Sequence, residues 1–110
     1  MKKEARIAHF EALAGGNLLA VIFRGGWIDG LSTLTGGGGG IAIAKWLEGS
    51  KYLEELRGVS LGKGMGAAEA GAVRRWAKSR GLPEVSAGER NRRQARVLAE
   101  GFDRFLEGKG

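Results

Sequence analysis

The chain contains no cysteine. Disulfides, thiolate metal sites and a cysteine nucleophile are therefore excluded. It has one histidine, His9. A zinc site would have to draw nearly every ligand from carboxylates, and no Ser-His-Asp signature can be read locally. Proline is represented by Pro83 alone among 110 residues, whereas glycine reaches 21. Such a glycine excess without proline is neither a collagen nor a linker composition. Long hydrophobic runs are missing too. The longest uncharged run, residues 30–44, is one-third a five-glycine tract, and it is too short and too weakly apolar to span a bilayer. The first residues, MKKEARIAHFEALAGG, carry Glu4 and Glu11 and lack the apolar region of a secretory signal. Asp29 and Glu48 are candidate acids, but neither has a second carboxylate close by in sequence. No cofactor or metal is expected, and no enzymatic activity.

What is present is positive charge, unevenly placed. The net charge is +6. Residues 1–55 carry six basic and six acidic side chains, and residues 56–110 carry twelve basic and six acidic. From Arg57 to Arg96 there are ten basic residues against three acidic. A local basic field of this kind attracts nucleic acid, an acidic membrane surface or an acidic protein.

The apolar spacing predicts helices. In residues 2–14, Ile7, Phe10, Leu13 and Ala14 fall on one helical face, and Gly15-Gly16 stops the segment. LLAVIF, residues 18–23, reads as a buried strand or a buried helical turn, which periodicity does not separate. One or two short helices between 17 and 35 are expected, and the alternative is a strand at 18–23 paired with residues 41–44. Short helices follow at 41–48, with Ile43, Trp46 and Leu47 inward, and over KYLEELRG. GVSLGKGMG reads as a glycine joint.

A clearer helix is predicted from about 64 to 80, with Met65, Ala68, Ala72, Val73 and Trp76 as its apolar stripe. Gly81 and Pro83 end it. Ser86-Ala87-Gly88-Glu89 reads as a capping box opening a last helix to Glu107, with Leu98, Phe102 and Phe105 in its stripe. Trp27, Trp46 and Trp76 read as core residues. The expected fold is all-α: five or six short helices with Gly-rich joints, closed by a C-terminal helical hairpin. The alternative is α+β, with the strand pair at 18–23 and 41–44. The chain is expected to be a single small domain, 1–110, made of a neutral, apolar, Gly-rich half (1–57) and a basic hairpin half (58–110).

Three readings of the five glycines at 36–40 stand: a phosphate cradle, a flexible joint, or close backbone approach to a neighbouring chain. The first lacks its signature, because Ile41 follows the tract and no Lys-Ser/Thr pair does. Gly58-Val59-Ser60-Leu61-Gly62-Lys63 comes nearer but is one residue short, and Gly64 stands where Ser or Thr is needed. The joint and the close approach remain.

The arginines are the sharper signal. Arg90, Arg92, Arg93 and Arg96 fall in the first turns of the last helix, whose dipole favours acidic residues there by about 0.3–1 kcal/mol each. Either carboxylates such as Glu48, Glu54, Glu55 or Glu69 pair with them, or an external anion does. Arg74, Arg75, Lys78 and Arg80 would join them if the hairpin put both sets on one side. The expected polyanion- or acidic-partner-binding residues are thus Arg74, Arg75, Lys78, Arg80, Arg90, Arg92, Arg93 and Arg96. Asn91 and Gln94 are the only amides among the arginines, so phosphate contact is expected rather than base reading.

From residue 37 to 81, the Gly/Ala-rich turns, Lys45-Trp46-Leu47 and the basic Ala/Gly helix with Arg74-Arg75-Trp76 resemble segments of bacteriophage internal-virion, ejection and tape-measure-type proteins. That resemblance implies a structural or delivery role, assembly-dependent folding and contact with DNA or membrane. The expected function is a small non-enzymatic binding or assembly protein, phage-derived or an inhibitor of another protein. Apolar helix faces would meet a protein partner or a second copy, and the basic half would meet a polyanion. Nonspecific nucleic-acid binding and membrane activity through residues 12–47 are the alternatives. The expected location is cytoplasmic, or virion if the protein is phage-derived.

Overall fold

The computed structural model describes residues 5–34, 45, 46, 48, 49 and 53–107. They form an α+β fold, not an all-α one. Four strands, β1 (Arg6–Ala12), β2 (Leu18–Arg24), β3 (Trp27–Leu34) and β4 (Leu56–Leu61), make one sheet in the order β3-β2-β1-β4. β2 is antiparallel to β1 and β3, and β4 is parallel to β1. Among the described residues there are two α-helices, α1 (Ala67–Ser79) and α2 (Glu89–Glu107), and Lys45, Trp46 and Glu48 are also helical.

The corrections have a common cause. β1 and β2 are the inner strands, and each is covered on both faces. Leu18, Ala20 and Ile22 of β2 join Ala8, Phe10, Val59, Val73 and Trp76 in one core cluster. The alternate residues Leu19, Val21 and Phe23 join Ala95 and Ala99 in the other. A strand buried on both faces loses the apolar/polar alternation that would mark it. Residues 6–12, expected as helix, are therefore a strand, and the short helices expected between 17 and 35 are a strand pair. β2 does coincide with the alternative strand at 18–23, but its partners are β1 and β3. Residues 41–44 and the glycine tract at 36–40 lie outside the described residues. The turn between β2 and β3 is Gly25-Gly26, with Gly25 at φ 59°, which suits the first position of a type II′ hairpin turn.

The first four residues of the expected joint GVSLGKGMG, 58–61, are also strand. β4 crosses the boundary drawn at 57/58, so the neutral half and the basic half share one sheet. Residues 83–85 run alongside it: Val59 N–H donates to the Pro83 carbonyl (3.0 Å), and Val85 N–H donates to the Val59 carbonyl (2.7 Å). Gly58 is required for that approach. A Cβ there would lie 2.8 Å from Val85 Cγ2 and 3.0 Å from the Pro83 oxygen. Gly58→Ala should cost about 1–3 kcal/mol, read as a lowered denaturation midpoint with an unchanged slope.

The two helices lie where the sequence places them, but they do not form a hairpin. α1 covers the sheet face with Ala8 and Phe10, and α2 covers the opposite face. α1 ends in a Schellman motif: Leu82 N–H donates to the Ala77 carbonyl (2.8 Å) and Gly81 N–H to that of Lys78 (3.1 Å), with Gly81 at φ 70°. Leu82 then packs on the core, which turns the chain toward β4. The capping box is displaced. Ser86 Oγ accepts from Gly88 N–H (3.1 Å), and the helical ladder opens at Gly88, whose carbonyl accepts from Arg92 N–H (2.9 Å). α2 is tied near both ends. Asn91 Nδ2 donates to the Gly25 carbonyl in the hairpin turn (2.9 Å), and Asp103 Oδ1 accepts from Ala14 N–H (2.7 Å). Ala95 and Ala99 let the helix approach the sheet closely. Of the tryptophans, Trp76 is buried and Trp46 partly so, but Trp27 on the edge strand β3 is 70% exposed.

Candidate anion-binding site

On the sheet face under α2, alternation brings His9 and Glu11 of β1 to one side. The parallel register sets Ser60 of β4 opposite His9. The three side chains form a buried chain. His9 Nε2 is 2.7 Å from Glu11 Oε2, and His9 Nδ1 is 2.8 Å from Ser60 Oγ. Ser60 Oγ also accepts from Ala87 N–H (3.1 Å), just before α2. An ionised carboxylate only accepts, so Nε2 carries the proton facing Glu11. In the neutral imidazole, Nδ1 then accepts from the Ser60 hydroxyl. Both ring nitrogens of His9 are used, and the chain ties β1 to β4 and to the start of α2.

This order of groups is that of a nucleophilic triad, but Ser60 is 1% exposed and lies beneath Ala87. Its hydroxyl cannot meet a substrate in this arrangement. Glu11 is different, because its carboxylate lies at the floor of an open concavity of about 340 Å³. The carboxylate lies against Gly62, where any Cβ would overlap it. Lys63, Ser86, Glu89, Arg92, Arg93 and Arg96 complete the lining. Arg92, Arg93 and Arg96 come from one flank of α2, and Lys63 from the turn after β4.

Four cations thus face two carboxylates, and both carboxylates are engaged. Glu11 meets His9, and Glu89 meets Arg93 (3.1 Å) as an exposed i,i+4 pair of about 0.3–0.5 kcal/mol. Among the described residues, no carboxylate lies within ion-pair distance of Lys63, Arg92 or Arg96. Arg90 is exposed on α2 but is not part of the lining.

The second expected set is elsewhere. Arg74, Arg75, Lys78 and Arg80 belong to α1 and its end, on the other side of the sheet. Arg74 is fork-paired to Glu84 (2.8 and 3.3 Å), and Arg80 donates through Nη2 alone to Glu48, which also accepts from Trp76 Nε1 (3.4 Å). Arg75 and Lys78 are exposed. The structure therefore brings together Arg92, Arg93 and Arg96, and separates them from the α1 group.

The sequence reading missed Glu11, Lys63 and the His9–Ser60 pair as parts of a site. The available signal was His9-Phe10-Glu11, two polar side chains spaced by two in an apolar run, which is strand spacing.

Asp29, one of the candidate acids, is enclosed by arginines: Arg6 Nε at 2.8 Å and Arg24 Nε at 3.1 Å. Arg6 also pairs with Glu55. Burial opposes ionisation of Asp29, but the Arg6 hydrogen bond and the Arg24 charge outweigh it and hold its carboxyl below the usual range. Hydrogen bonds from Arg80 and then Trp76 do the same for Glu48, and the Arg74 hydrogen bond does so for Glu84. Carboxyls lowered in the folded state contribute stability that is present above their unfolded pKa and lost as pH falls through the folded value. Thermal stability should hold near neutrality and decline progressively below about pH 4, as read by Tm against pH.

Among the described residues, no three metal-ligating side chains converge, and no helix is long and apolar enough to cross a membrane. Compared with known proteins, the chain matches no protein-family model and no curated protein sequence.

Proposed function

We propose that the chain is a non-catalytic binding protein whose partner is a polyanion, held at the α2 concavity. One observation carries this reading: Lys63, Arg92 and Arg96 line one concavity in which cations outnumber carboxylates, and among the described residues none of the three has a carboxylate within ion-pair distance. Like charges gathered near the positive end of a helix destabilise the isolated fold, and an anion placed there removes the penalty. A phosphate backbone fits the planar, multi-donor arginines. The inaccessible Ser60 hydroxyl supports binding over catalysis. Most of the apolar stripes of α1 and α2 is occupied by the sheet, so apolar contact with a protein partner would fall to exposed side chains such as Trp27 and Leu31 on β3 and Val97 and Phe105 on α2.

The test compares two variants on a labelled random DNA duplex. One carries Arg92→Gln, Arg93→Gln and Arg96→Gln, and the other carries Arg75→Gln and Lys78→Gln on the opposite face. Binding lost in the first and kept in the second supports the reading. Equal losses would replace the site with a diffuse charge effect, and no binding by the unaltered protein at low salt would direct the search to acidic proteins.

A further inference from the structure

The concavity is not a plain cation pocket, because an acid forms its floor. Glu11 is 7% exposed, is fixed through Oε2 by the fully buried His9, and lies against the bare Cα of Gly62. Among the described residues, Oε1 accepts from no protein group, and no buried side-chain polar atom lacks a partner. Oε1 is therefore not wholly sealed, and Glu11 lines the concavity. A carboxylate beside Arg92, Arg93, Arg96 and Lys63 repels a bare phosphate and weakens it as a ligand. It favours a ligand that sets a hydrogen-bond donor next to its phosphate.

The lining also limits where that donor can be. Among the described residues no aromatic side chain contributes to the concavity, so they offer bases no stacking platform. Contact is through the sugar–phosphate backbone. The one donor on that backbone is the ribose 2′-hydroxyl, which DNA lacks and which the wide minor groove of A-form RNA displays beside its phosphates. We infer that the partner is RNA, with the arginines and Lys63 on phosphate oxygens and Glu11 Oε1 accepting from a 2′-hydroxyl. His9 is the positioning residue that aims the carboxylate. This rests on the polyanion reading above and narrows it.

The test measures affinity of the whole protein, at one salt concentration, for an RNA duplex and for the same duplex with 2′-fluoro sugars. The fluoro duplex keeps the A-form and the phosphates but has no hydroxyl donor. The unaltered protein should bind the RNA about tenfold more tightly, the loss expected when a hydrogen bond to a charged group goes unmade. In Glu11→Gln, which turns an amide toward the ligand, the ratio should fall to near one, with the fluoro duplex bound more tightly than by the unaltered protein. Equal affinity of the unaltered protein for both duplexes overturns the inference and leaves the polyanion reading intact. No binding to either duplex at low salt overturns both. The first comparison uses only the unaltered protein, so it decides the matter even if Glu11→Gln folds poorly.

Discussion

His9→Ala should lower stability by about 3 kcal/mol, a fall in Tm of roughly 10–20 °C. The size follows from what the imidazole leaves behind. His9 is fully buried between Glu11 and Ser60, and it satisfies both. Removing it opens a cavity and withdraws the donor from a carboxylate that is nine-tenths buried. It also leaves the Ser60 hydroxyl with Ala87 N–H alone. Ser60→Ala is milder, about 1–2 kcal/mol, because His9 keeps its stronger bond to Glu11. A double-mutant cycle between positions 9 and 60 should show coupling, since the two groups share one chain of hydrogen bonds. If His9→Ala unfolds at nearly the same temperature as the unaltered protein, the chain is not holding β1, β4 and the start of α2 together.

The second large effect is on binding. Neutralising Arg92, Arg93 and Arg96 together removes three of the four cations of the concavity. On duplex DNA each neutralised phosphate contributes close to 0.9 to the slope of log K against log salt. Three contacts therefore amount to roughly 100-fold in affinity at 0.2 M salt and more than 1,000-fold at 0.05 M. The divergence between the two salt concentrations is the useful part. A variant weakened only by partial unfolding loses affinity by the same factor at both. Circular dichroism of the triple variant should be unchanged, because none of the three side chains is buried and Arg93 has only an exposed pair with Glu89.

How much of this was legible depended on how many faces an element buries. α1 and α2 each bury one stripe, so their 3.6-residue period survives in the sequence, and Gly81 with Pro83 marks the end of α1. β1 and β2 bury both faces. In RIAHFEA the apolar residues needed on two sides happened to fall at i and i+3, which mimics a helix. In LLAVIF every position is inward, so no period remains. Gly58 and Gly62 looked like joint residues because the sequence does not show what lies against them, namely Val85, Pro83 and the Glu11 carboxylate. The side of the sheet a helix takes was not legible either. A buried stripe states that a partner exists, and the crossover chooses which face it is. Hence Arg74 and Arg80 went to one face and Arg92, Arg93 and Arg96 to the other. The arginine flank of α2 was readable as a charge cluster. Its carboxylate floor was not, because joining Glu11, His9 and Ser60 needs the β1–β4 register.

The central claim is that the α2 concavity holds a phosphate backbone. The most direct measurement is the affinity of the unaltered protein for a random DNA duplex, followed from 0.05 to 0.2 M salt. Three or four cations on phosphates give a slope of log K against log salt of about −3 to −4. A slope near zero, or no binding at 0.05 M, would contradict the claim and assign the arginines to an acidic protein surface instead.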